Sequence, residues 1–99
     1  MANGDKTPEN SRHRKQVPPD VIDQALDAVR NQLRRRLEQK GYGTWSSSHE
    51  ILGQVAEEYT ELTLAVQAGD GRHVAHELTD IAVAGIFGVA CLMNGSTDW

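Results

Sequence analysis

The chain has 99 residues, of which 38% are hydrophobic and 5% aromatic, and its formal net charge is −4. That length sets a single small domain whose modest core gains from association with further copies. An acidic chain is a poor ligand for duplex nucleic acid, one cysteine excludes an internal disulfide, and the longest apolar run, 81–93, is shorter than the roughly 20 residues of a membrane span.

Residues 1–17 are polar and aperiodic, as in a flexible tail, and contain no apolar leader segment. The expected domain is 18–99, in the cytoplasm and without membrane contact. Cys91 lies in the apolar run, as a buried free thiol of a reducing compartment does.

Pro18-Pro19-Asp20 opens a first helix, because proline is tolerated in a first turn. Ile22, Leu26, Val29, Leu33 and Leu37 then recur at steps of three and four, one apolar stripe, until Gly41 and Gly43 end it. Ser47 and Glu50 have capping-box spacing and predict the start of a second helix. Its apolar face is Ile51, Leu52, Val55, Tyr59, Leu62 and Val66, and Gly69 is its C-terminal stop. Asp70-Gly71 leads into a third helix, polar from Arg72 to Asp80 and apolar from Ile81 until Asn94-Gly95. Gly85 and Gly88 cost that helix propensity, which suggests close approach by another helix. The fold class is therefore all-α: an antiparallel bundle of three helices, its core completed as a homodimer or homotetramer through the third helix and the stripe of the first.

Charge is unevenly placed along these helices. Residues 1–41 hold nine of the ten Lys/Arg, whereas residues 42–99 hold eight acids and one base, Arg72. The second helix carries Glu57-Glu58-x-x-Glu61 and the third carries Glu77-x-x-Asp80. Residues three or four apart share a helix face, so Glu58 pairs with Glu61 and Glu77 with Asp80. Glu61 precedes the turn at Gly69 by eight residues and Glu77 follows it by eight, which sets the two pairs at one height. A solvated acidic helix face normally interleaves Lys or Arg at four-residue spacing, and no position four residues from these acids is Lys or Arg. Facing carboxylates without counter-charge repel, and a divalent cation relieves the repulsion; all-oxygen ligands suit Mg²⁺, or Mn²⁺, better than zinc.

The pattern Glu-Glu-x-x-Glu, a spacer, then Glu-x-x-Asp resembles the signature of the MazG-like all-α nucleoside triphosphate pyrophosphohydrolases. His49-Glu50-Ile51-Leu52-Gly53 before the first motif and Leu78, Ile81 and the apolar helix after the second extend the resemblance over about residues 20–94. It implies that Glu58, Glu61, Glu77 and Asp80 hold Mg²⁺ (or Mn²⁺), and that a (deoxy)nucleoside triphosphate is cleaved at its α-phosphorus to a monophosphate and pyrophosphate. In that scheme Glu57, beside Glu58 in the catalytic pair, is a further ligand or the general base that orients the water. Members of this superfamily commonly continue into a fourth helix bearing basic and amide residues toward the phosphates. The expectation here is that a partner subunit supplies them, the alternative being a non-catalytic oligomerisation or nucleotide- or metal-binding module.

Arg34, Arg35, Arg36 and Lys40 cluster at the end of the first helix. Three adjacent residues fan around the helix, so most serve solvent or the helix dipole, with Arg34 and Lys40 as the phosphate-binding candidates. Trp45 either packs as a lead-in to the second helix or stacks on a nucleobase. His73 and His76 lie beside Glu77, but Asp80 occupies the position where a di-iron bundle site wants histidine. No phosphate-binding glycine loop is present, and no serine or cysteine has a convincing nucleophile partner.

Overall fold

A computed structural model of the chain describes residues 14–98, so the expected tail over 1–13, and Trp99, lie outside the described residues. Among the described residues three helices follow one another: α1 Pro19–Lys40, α2 Ser48–Ala68 and α3 Gly71–Met93. The fold is an all-α helical bundle, as the periodicity predicts.

The caps explain the boundaries. Pro18 is the N-cap of α1 and Pro19 its first residue, and Gly41 closes it at φ 81°. Ser47 caps α2 by accepting from the Glu50 amide at 3.1 Å. The Glu50 carboxylate does reach back, but to the Ser46 amide at 2.7 Å, one residue earlier than the capping box requires. The chain at Ser46–Ser48 is tied instead to the C-terminal segment, through Ser48 N–H to the Asp98 carbonyl at 3.1 Å and Asp98 N–H to the Ser46 carbonyl at 2.7 Å. Gly69, in the left-handed region at φ 70°, ends α2, and the Asp70 side chain caps α3 by accepting from the His73 amide.

The bundle is centred on α3. Both α1 and α2 pack against it and not against each other, which leaves a cleft between them with α3 as its floor. The core lies at one end: Trp45, Ala84, Phe87 and Cys91 are buried, with Leu37, Ile51 and Val55 packed on them. Trp45 and Phe87 meet edge to face, centroids 4.9 Å apart at 85°. The Trp45 amide points at the Cys91 sulfur at 3.4 Å. Gly88 is where α2 comes close, since a Cβ there would stand 3.1 Å from Ile51 Cγ2. At Gly85 nothing lies within 4 Å, so the close approach expected there is not made within one protomer.

The apolar stripes are only partly covered. Val29, Leu33 and Leu37 of α1 are half-buried, but Ile22 and Leu26 are exposed, and no residue of α1 is fully buried. On α2 the covered positions are Ile51, Val55, Leu62 and Ala65, whereas Leu52, Tyr59 and Val66 face outward. A helix packed on one neighbour covers a stripe narrower than its whole apolar arc. The full length of α3 is long and apolar enough, by composition, to cross a membrane, which the 81–93 run alone is not.

Candidate metal centre

The carboxylates converge where the helical spacing puts them. Ligand atoms of Glu58, Glu61 and Glu77 all lie within 4.8 Å of one another, as do those of His76, Glu77 and Asp80. Glu77 belongs to both groups and links them. It is 4% exposed, although it is a charged residue on the polar half of α3. Glu58 and Asp80 are half-buried and Glu61 lies at the solvent edge.

Hydrogen bonding at this cluster is incomplete. His73 Nε2 lies 3.1 Å from Glu77 Oε1, and His76 Nε2 lies 3.3 Å from Asp80 Oδ2. Each histidine stands one turn before its carboxylate and fixes one of its oxygens. The other oxygen of Glu77, Oε2, is buried with no partner, and so is Glu58 Oε2. Buried polar atoms are nearly always satisfied, and an orphaned carboxylate oxygen is among the costliest exceptions. Two such atoms in one cluster of acids are suited to bind a cation.

The electrostatics agree with the geometry. The Glu58 carboxyl is pushed up from 4.5 to about 7, first by burial, then by the charges of Glu61, Asp80 and Glu77, and by hydrogen bonding with Glu61. Crowded acids out of full solvent resist ionisation together, and one keeps its proton. The donor set is mainly carboxylate oxygen, with the two histidine nitrogens engaged on Glu77 and Asp80, so the residues fit Mg²⁺ or Mn²⁺.

Glu58 and Asp80 also line a cavity of about 170 Å³ in the cleft, together with Gln32, Arg36, Gln39 and Lys40 of α1, Trp45, Gln54, Val83 and Ala84. Its walls differ in chemistry: α2 and α3 bring the acids, and α1 brings cations and amides. Lys40 is in this wall as expected. Arg34 is exposed and outside it, and Arg36 takes the place expected for Arg34. The reason is rotational. Gln32, Arg36, Gln39 and Lys40 are spaced i, i+4, i+7 and i+8, a single stripe beside the apolar one, and Arg34 falls off it. That polar stripe is legible in the sequence once the arginines are taken by phase instead of by adjacency.

Glu57 is exposed and belongs to neither carboxylate group. Trp45 lines the cavity but is 7% exposed, and the Arg36 guanidinium carbon sits over its ring at 5.0 Å. The packing role therefore describes it, and a base stacking there would have to displace Arg36.

Comparison of the chain with protein-family models, curated proteins and solved structures returns no match.

Proposed function

We propose that the chain is a metal-dependent nucleotide pyrophosphohydrolase that cleaves a (deoxy)nucleoside triphosphate to monophosphate and pyrophosphate. The observation that carries this reading is the meeting of four carboxylates from α2 and α3 around two buried, partnerless carboxylate oxygens. It adds to the MazG-like resemblance of the two acidic motifs.

In this reading Glu58, Glu61, Glu77 and Asp80 hold Mg²⁺ or Mn²⁺. The bound cation supplies charge neutralisation for the phosphates and a nucleophilic water at neutral pH. His73 and His76 keep Glu77 and Asp80 oriented, as hydrogen-bonded outer partners do for ligating carboxylates. Hydrolysis forms a bond from water oxygen to the α-phosphorus and breaks the bond to the pyrophosphate oxygen. The attacking water's proton is released to solvent, which reaches the site at the exposed Glu61. Glu57 has no part in this scheme because it belongs to neither carboxylate group. The basic and amide wall of α1 supplies, from within the chain, the groups expected from a partner.

We further propose a cytoplasmic homodimer or homotetramer. An apolar groove of about 510 Å³ runs along α3 past Ala82, Gly85, Ile86, Val89, Ala90 and Met93, and Val21, Ile22 and Leu26 of α1 are also uncovered. A second copy suits these surfaces better than lipid, because α3 also carries Glu77 and Asp80, and intramembrane acids are expensive. Sedimentation should find an oligomer that Val89→Asp dissociates. A monomeric native chain, or one that floats with phospholipid vesicles, contradicts this.

The activity test is pyrophosphate release from a panel of ribo- and deoxyribonucleoside triphosphates with Mg²⁺, in the native chain and Glu58→Gln. Turnover lost in the variant supports the enzyme. A folded, Mg²⁺-saturated chain that turns over none of them favours the non-catalytic binding module.

A further inference from the structure

Among the described residues, Arg36 and Lys40 are the basic side chains that line the cleft. Arg36 is half-buried, and among the described residues it forms no ion pair. Its guanidinium carbon lies 5.0 Å from the centroid of Trp45 and 5.2 Å from that of Phe87, in the corner of an edge-to-face aromatic pair. Stacking on aromatic faces fixes the plane of a guanidinium while leaving its N–H donors free at the rim.

Across the same cavity stand Glu58 and Asp80, yet neither comes within ion-pair distance of Arg36. Opposite charges that line one small cavity without pairing leave room for a ligand that satisfies both. A cation on the carboxylates, carrying an oxyanion turned toward the guanidinium, does so. Gln32 and Lys40, each one turn away from Arg36 on α1, add a neutral donor and a second cation to that wall.

Size says how much of a ligand is enclosed. The cavity holds about 170 Å³, against the roughly 300–1,000 Å³ of pockets that swallow drug-sized ligands. Only one end of a nucleotide fits, and the charged walls select the phosphate end. The aromatic that a base would use is buried under Arg36.

Resting on the pyrophosphohydrolase reading, we propose that Arg36, held against Trp45 and Phe87, is the phosphate-gripping residue of this site. The substrate class is then metal-complexed polyphosphate esters recognised by their phosphates, with the base left outside the protomer's cleft and weakly selected.

The test titrates the full-length chain with Mg²⁺ alone, then with magnesium imidodiphosphate, a non-hydrolysable diphosphate, by calorimetry. Native protein should bind both. A charge-assisted hydrogen-bonding group contributes about 1.5–3 kcal/mol, so Arg36→Gln should weaken imidodiphosphate binding by about tenfold to a hundredfold and leave Mg²⁺ binding unchanged. Arg36→Lys, which keeps the charge but not the bidentate fork, should fall between them. It also carries the test if Arg36→Gln does not fold. The α,β-imido triphosphates of adenosine, guanosine, cytidine and uridine, which resist cleavage, should bind within about threefold of one another, well under the tenfold that 1.4 kcal/mol represents. Native protein that binds Mg²⁺ but not imidodiphosphate, or an Arg36 variant that binds it as native does, overturns this inference alone. A tenfold preference for one base overturns its substrate class. Absence of Mg²⁺ binding removes the metal reading itself, and this inference with it.

Discussion

The two long faces of α3 have opposite fates. One face carries Glu77, Asp80, Val83, Ala84, Phe87, Gly88 and Cys91, and it is covered by α1, α2 and Trp45. The other carries Leu78, Ile86, Val89 and Met93 and stays exposed. Hydropathy alone would bury the second face and expose the acids of the first. The protein does the reverse along this helix, sinking Glu77 to 4% exposure while Met93 remains 83% exposed. Burying an acid with one carboxylate oxygen unpartnered costs stability, which the proposed cation would offset. Leaving an apolar groove open costs association control, which the proposed second copy would restore.

The sharpest way to break this comparison is to truncate both faces. Phe87→Ala removes the ring that packs on Trp45 and beneath Arg36, and should cost about 3–5 kcal/mol, as Phe-to-Ala changes in cores do. Against a typical total of about 5–15 kcal/mol that loss is severe. Val89→Ala, on a 56%-exposed side chain, should change monomer stability by less than about 1 kcal/mol. Urea unfolding of both variants at low concentration measures the contrast, and equal losses would mean the outer face is already packed.

A second comparison sets pH against metal. The Glu58 carboxyl is raised from 4.5 to about 7 in the folded, metal-free chain. The native state thus holds that proton more tightly than the unfolded chain does. Its stabilising contribution is complete below pH 4.5 and is lost as pH rises through about 7. Metal-free protein should therefore melt lower at pH 8 than at pH 6, and Glu58→Gln should flatten that slope. Mg²⁺ competes with the proton, so its stabilising effect should run the other way, larger at pH 8 than at pH 6. Melting curves at the two pH values, with and without Mg²⁺, check both signs.

The smallest effects separate the two glycines. Gly85→Ala meets nothing within 4 Å in the protomer and should stabilise a monomeric Val89→Asp background by about 0.5–1 kcal/mol through helix propensity. Gly88→Ala presses a Cβ to 3.1 Å from the Ile51 branch methyl, which a β-branched side chain is slow to move, so that gain should be cancelled or reversed. In the assembled chain a loss at Gly85 as well would place another helix against that face.

Much of this fold was legible beforehand. Pro19, Ser47, Gly69 and Asp70 punctuate the helices in the sequence as they do in the structure, because capping is local chemistry. The meeting of Glu58, Glu61 and Glu77 was also legible, since a short turn and helical rise set both motifs at one height. What was not legible was tertiary. The helical phase that groups Arg36 with Gln32, Gln39 and Lys40 is in the sequence, but that this stripe, and not the one with Arg34, turns toward the carboxylates is set by how α1 rests on α3. Trp45 is covered because Arg36 and Phe87 close on it from different helices. The outward turn of Glu57 follows from its place one residue off the Glu58–Glu61 face.

Four carboxylates that hold a divalent cation, as proposed for Glu58, Glu61, Glu77 and Asp80, should take up Mn²⁺ from solution. The most direct test is a Mn²⁺ titration followed by electron paramagnetic resonance in native protein, Glu77→Gln and Asp80→Asn, each verified as folded by circular dichroism. The account predicts that native protein removes free Mn²⁺ from the spectrum at saturable stoichiometry, that added Mg²⁺ releases it, and that both variants lose the site. Folded native protein that leaves the free Mn²⁺ signal unchanged at millimolar metal would contradict it.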